Sequence, residues 1–227
     1  ALRGSMVALV TPFRNDRVDD AALKRLVELH VAEGTSALVP CGTTGESATL
    51  SHEEHDRVIE IVIQAAHGRT PVIAGTGSNN TREAIRLTQH AKDAGADAAL
   101  LISPYYNKPT QRGLYLHFKA VAEAVDIPLV LYNIPGRTAV NIEPDTFGQL
   151  VGLKNIVAVK EASGNLAQMQ RILEVTNRKL VLLSGDDALT LDVLSIGGTG
   201  VISVVANLVP ADVAAMISAF EAGRRDD

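Results

Sequence analysis

Eight short apolar runs rich in β-branched residues recur along this chain, and stretches of helical period lie between them. The runs are SMVALVTPF (5–13), ALVPCG (37–42), PVIAGTG (71–77), AALLISP (98–104), PLVLYNIP (128–135), IVAVKEAS (156–163), LVLLSGDD (180–187) and GVISVVAN (200–207). Parallel strands need crossover connections, so regular strand–helix alternation predicts a parallel sheet of the α/β class. Eight such units predict a closed (β/α)₈ barrel.

The helical stretches carry legible ends. DDAALKRLVELHVAEG and TREAIRLTQHAKDAG close on Gly34 and Gly95, as left-handed C-terminal caps do. SHEEHDRVIEIVIQAAHG opens on Ser51 with Glu54 three residues on, a capping box, and NLAQMQRILEV follows the sixth run. A doubly wound open sheet would place a glycine-rich loop after its first strand, where this chain has Thr11-Pro12; GTGSNN lacks the third glycine and reads as a turn. No linker or low-complexity tract divides residues 1–227, which read as one barrel domain.

Composition narrows the function classes. A net charge of −5 with 21 scattered basic residues predicts no nucleic-acid partner. No apolar run reaches the ~18 residues of a spanning helix, and the run before Pro12 is too short for a secretory signal, so no membrane partner and a cytoplasmic location are expected. The lone Cys41 fits a reducing compartment and a small core residue.

In a barrel of this kind chemistry sits at the C-terminal ends of the strands. That rule selects Thr11, Thr43, Thr44, Thr76, Tyr105, Tyr106, Tyr132 with Arg137, Lys160, Asp186, Asp187, and Ser203 with Asn207. All six histidines fall on predicted helices or their ends, HEEH (52–55) lacks a third ligand, and no metal or cofactor is expected. Lys160, inside an otherwise apolar strand, has two readings. It either reaches outward, or pairs with Glu161, as an ordinary cation, or it lies among barrel side chains, where burial lowers its pKa and makes it a nucleophile toward carbonyls. In the second case Tyr132 and the threonines can shuttle protons, and the GTTGE turn can offer donors to a carboxylate.

The segments CGTTGESATL (41–50), SPYYNKP (103–109), YNIPGRT (132–138), VKEASGN (159–165) and LLSGDD (182–187), in this order, closely resemble the dihydrodipicolinate synthase family. The resemblance runs essentially throughout the chain. It implies a TIM barrel lyase of lysine and diaminopimelate biosynthesis that joins pyruvate to L-aspartate 4-semialdehyde through a Schiff base. Carried over by residue, it implies Lys160 as the imine lysine, with Thr43, Tyr132 and Tyr106 as a proton relay, Tyr106 coming from a neighbouring subunit of a homotetramer. It implies Thr44 on the pyruvate carboxylate, Arg137 on the semialdehyde carboxylate, and Gly185 and Ile202 in the pocket lining. Lysine-inhibited members are similar at Ser47, Ala48, His52, His55, Asn79, Glu83 and Tyr105, which implies an allosteric lysine site. The sequence departs from the family pattern after the eighth run, where only VPADVAAMISAFEAGRRDD follows and the usual further helices are largely missing.

Two other readings belong to this pattern: a sister pyruvate lyase acting on sugar acids, and a non-catalytic pyruvate-binding sensor. Arg137 and the Thr43-Thr44 pair favour a small carboxylate-bearing aldehyde over the first, and retention of Lys160 and Tyr132 weighs against the second.

Overall fold

Strand β1 (Gly4–Ala8) is fed directly into the barrel wall because Met6 to Ala8 are apolar on both faces, as a doubly covered strand requires. The structure, a computed structural model, describes residues 2–224. The predicted first run ends its barrel strand at Ala8; residues 9–12 are irregular, and Phe13 begins a two-stranded hairpin of β2 (Phe13–Arg14) and β3 (Arg17–Val18). Asn15 and Asp16 turn that hairpin at φ 52° and 60°, the left-handed pair a two-residue turn needs.

The chain then alternates: α1 (Asp20–Ala32), β4 (Ala37–Val39), α2 (His52–Ala66), β5 (Ile73–Gly75), α3 (Thr81–Ala94), β6 (Ala98–Ile102), α4 (Gln111–Ala124) and β7 (Leu129–Asn133). A single-turn helix α5 (Pro135–Thr138) and α6 (Pro144–Leu150) precede β8 (Ile156–Glu161), followed by α7 (Leu166–Val175), β9 (Val181–Ser184), α8 (Thr190–Ser195), β10 (Gly200–Ser203) and α9 (Pro210–Glu221). The predicted caps form: Ser51 and Glu54 exchange both bonds of the capping box, and Gly95 closes α3 at φ 98°.

Eight strands pair in parallel in the order β4-β1-β10-β9-β8-β7-β6-β5. The ends of that row meet where the Leu38 N–H donates to the Pro71 carbonyl and the Gly75 N–H to the Pro40 carbonyl, both at 2.9 Å, which closes the barrel. Period-two alternation sorts the side chains. Met6, Val39, Ile73, Leu100, Val130, Ala158, Leu183 and Ile202 fill the interior, while Val7, Leu38, Leu101, Leu131, Val159 and Val201 pack outward under the helices. Lys160 follows Ala158 by two positions and therefore shares its inward face.

Candidate active site

The strand register brings two predicted residues together. Tyr132 on β7 pairs directly with Lys160 on β8, and Lys160 pairs with Leu183 on β9. The ammonium nitrogen of Lys160 stands 4.2 Å from the centroid of the Tyr132 ring, and the two residues are only 5% and 6% exposed. Burial lowers the Lys160 pKa to about 8, with the Asp187 carboxylate pulling it up and the Arg137 cation pushing it further down. Burial likewise raises the Tyr132 phenol to about 12, against the Arg137 charge. The outward-pairing alternative for Lys160 fails on geometry, because Glu161 projects from the opposite face of β8.

Gly185 follows β9 and leaves room for the lysine stem: a Cβ there would lie 2.9 Å from Ala162 Cβ and 3.1 Å from both Cγ and Cε of Lys160. Ile202 is buried on the interior face of β10. Arg137 is exposed on α5, which Pro135 starts at its first turn and Ala139 ends at φ 59°. Thr138 anchors this turn by donating to the Ile134 and Val140 carbonyls.

The GTTGE segment is a tight turn. Cys41 and Glu46 take φ 55° and 61°, and a Cβ at Gly45 would meet the Leu9 carbonyl at 2.8 Å. Thr11 donates to the Gly45 carbonyl at 2.7 Å, pinning the turn to the end of β1. Thr43 is exposed and Thr44 half-buried at its tip. Thr43 and Tyr132 line one cavity of about 440 Å³ without a hydrogen bond between them. Cys41 is buried, its thiol pushed up by burial and donating to the His55 carbonyl, so it is not a nucleophile here.

The cavity also reaches Ser47, Ala48, His52, His55, Glu83 and Tyr105, so six of the seven residues implied for the lysine site share one space with Tyr132 and Arg137. Glu83 accepts from Ser78 and from His52, the latter at 2.9 Å; these bonds hold its carboxyl below the usual range. Asn79 lies beside the cavity lining, donating to the Tyr105 carbonyl at 3.1 Å. Tyr106 does not join Tyr132; it is 88% exposed at φ 72°.

Two further carboxylates surround the site. Asp187 accepts from the N–H groups of Val204 and Val205 at 3.0 and 3.1 Å and is the anion that most affects Lys160. Asp187 belongs to the strand-end set, but its charge coupling to Lys160 has no linear signal in the sequence. Glu161 is fully buried behind β8; burial raises its pKa, against hydrogen bonds from Asn133, Ser163 and Gln168. Among the described residues no group of three or more His, Cys, Asp or Glu side chains is placed to hold a metal ion, and no helix is long and apolar enough to cross a membrane.

This arrangement has known relatives. The family model described as the dihydrodipicolinate synthetase family matches residues 1–227. A 4-hydroxy-tetrahydrodipicolinate synthase from Syntrophobacter fumaroxidans is 60% identical over 224 residues, 99% of this chain and 77% of the relative. The crystal structure of a chloride-inhibited dihydrodipicolinate synthase from Acinetobacter baumannii, complexed with pyruvate, superposes with TM-score 0.96 at 48% identity, covering 100% of this chain and 78% of that one. The enzyme from Cyanidioschyzon merolae with lysine bound gives TM-score 0.93 at 45% identity, covering 96% and 75%. With matched motifs, matched barrel and a family model spanning its whole length, the chain belongs to the dihydrodipicolinate synthetase family.

Proposed function

We propose that this chain is a lyase that condenses pyruvate with L-aspartate 4-semialdehyde to give 4-hydroxy-tetrahydrodipicolinate, by Schiff-base chemistry on Lys160. The observation that carries the reading is the buried amine of Lys160 facing Tyr132 at the barrel mouth. With a pKa of about 8, roughly a tenth of that amine is neutral at pH 7, against about three in ten thousand at its ordinary 10.5. The site thus supplies a nucleophile that the same residue on a surface would not.

The neutral amine adds to C2 of pyruvate, and the carbinolamine loses water to give the imine. The imine draws electrons from C3, which loses a proton to form an enamine; the enamine carbon attacks the aldehyde carbon of the second substrate. The amino group of that substrate then attacks the imine carbon, closing the ring and releasing Lys160. Tyr132, with Thr43 and a neighbouring subunit's Tyr106, relays protons to the carbinolamine oxygen and the developing alkoxide. Thr44 holds the pyruvate carboxylate and Arg137, with its planar fork, the semialdehyde carboxylate. Gly185 and Ile202 shape the pocket.

The same reading takes residues 1–227 as one barrel domain working in a homo-oligomer in the cytoplasm, without a cofactor, within lysine and diaminopimelate biosynthesis. It assigns L-lysine as an inhibitor bound by Ser47, Ala48, His52, His55, Asn79, Glu83 and Tyr105; the lysine-bound relative supports that assignment. The cavity that six of these residues share with Tyr132 supports an inhibitor site close to the reacting centre.

A steady-state assay with pyruvate and aspartate semialdehyde, set against sugar-acid substrates, tests the reading. Condensation by the wild-type chain, lost in Lys160→Ala, is the expected result. Turnover of sugar acids alone would move the chain to a sister lyase, and a lysine titration flat to millimolar levels would remove the regulatory assignment.

A further inference from the structure

Behind the strands that present Tyr132 and Lys160 lies a closed polar cluster that the chemistry above does not use. Asn133 and Glu161, the residues next to Tyr132 and Lys160, are both fully buried on the outer face of the barrel and pair across β7 and β8. The Asn133 amide nitrogen donates to both Glu161 carboxylate oxygens, at 3.3 and 3.1 Å, and to Asn141 Oδ1 at 2.8 Å. Gln168 Nε2 donates to Asn141 Oδ1 and Glu161 Oε2, and the Ser163 N–H to Glu161 Oε1 at 2.7 Å. Asn141 Nδ2 donates to Gln168 Oε1, and the Ile142 N–H to Asn133 Oδ1.

Every one of these contacts to Glu161 is a donor, so the carboxylate is the acceptor hub that satisfies the cluster. Asn141 and Ile142, tied to the hub through Asn133 and Gln168, end the loop that starts after β7 and carries Arg137 on α5. One cluster therefore fixes three things at once: the end of β7 with Tyr132, the end of β8 with Lys160, and the loop with Arg137. A buried polar group whose partners are all met is costly to disturb, and a hub of this kind enforces one geometry.

Building on the Schiff-base reading, we propose that Glu161 is a positioning residue which, through Asn133, Asn141 and Gln168, aligns the lysine–tyrosine pair and the arginine loop for reaction. Its two arms separate. The Asn133 side serves imine formation, and the Asn141–Gln168 side serves capture of the aldehyde substrate.

The variants Glu161→Gln, Asn141→Ala and Gln168→Ala test this, with borohydride trapping of the pyruvate imine, kcat and KM for each substrate, and thermal unfolding measured on each. An amide at position 161 sets its own N–H against donor groups. Trapping should therefore slow by ~10- to 100-fold in Glu161→Gln, the scale of a misaligned reacting pair. Asn141→Ala and Gln168→Ala, which truncate half-buried side chains, should raise KM for the semialdehyde ~10-fold while trapping stays within about two-fold of wild type. Lower unfolding temperatures with unchanged trapping and unchanged KM per folded molecule would overturn the proposal and leave the cluster a structural one. If Glu161→Gln does not fold, unchanged KM in the two alanine variants overturns it equally. No imine in the wild-type chain removes the Schiff-base reading and this proposal together, whereas a wild-type imine with indifferent variants removes this proposal alone.

Discussion

The ammonium of Lys160 lies 4.2 Å from the ring centroid of Tyr132, and the two side chains come from directly paired positions on β7 and β8. The aromatic face stabilises the cation while burial opposes it, and burial dominates the Lys160 pKa.

The rate of borohydride-trapped imine formation should therefore rise with pH to a midpoint of about 8 and level off above it. Stability follows from the same shift. The folded-state value lies below the ordinary 10.5, so the unfolded chain binds more protons between about 8 and 10.5. The contribution of Lys160 to stability thus rises with pH across that window, and below it the buried charge is a constant cost. Relative to wild type, Lys160→Met should gain more stability at pH 7 than at pH 10.5. A trapping midpoint near 10.5 would contradict the assignment.

Arg137→Gln removes a cation that pushes the Lys160 amine down. Its trapping profile should move to higher pH than wild type, and KM for aspartate semialdehyde should rise by ~10-fold or more as the two-bond grip on the carboxylate is lost. Steady-state kinetics over a pH series separates the two effects. An unmoved profile with an unmoved KM would take Arg137 out of the site.

Tyr132→Phe keeps the ring against the amine and deletes only the hydroxyl. The barrel should remain folded by circular dichroism, and kcat should fall by ~10²- to 10⁴-fold, the usual reach of a positioned proton donor. Wild-type turnover from this variant would assign the proton relay elsewhere.

Gly185→Ala adds a carbon 2.9 Å from Ala162 Cβ and 3.1 Å from two atoms of the Lys160 stem. The lysine stem is the more movable neighbour, so the amine should be displaced while the fold survives. Imine trapping should drop at least ~10-fold, more than the change in unfolding temperature would suggest. Equal trapping in variant and wild type would show that the stem relaxes without moving its nitrogen.

The eight barrel strands were legible because each is apolar with β-branched residues, and the helix ends because Ser51, Glu54, Gly34 and Gly95 are local signals. Lys160 and Tyr132 were legible for the same reason, standing out at the ends of apolar strands. The hairpin at residues 13–18 was not, since Phe13, Arg14 and Arg17 are exposed and its two-residue strands give no alternation to read. Adjacency in the sequence offers Glu161 as a partner of Lys160, but neighbouring residues of a strand face opposite ways. Of its real partners, Asn133 is far off in sequence and meets it through strand register, while Gln168, on the helix that follows, meets it only once that helix docks. Asp187 acts on Lys160 through space, which a linear pattern does not encode.

Mass spectrometry of the intact chain after incubation with pyruvate and borohydride addresses the nucleophile itself. One reduced pyruvate adduct per chain is predicted, mapped by peptide fragmentation to Lys160 and missing from Lys160→Ala. A wild-type chain that stays unmodified, or that carries the adduct on another lysine, would contradict the account.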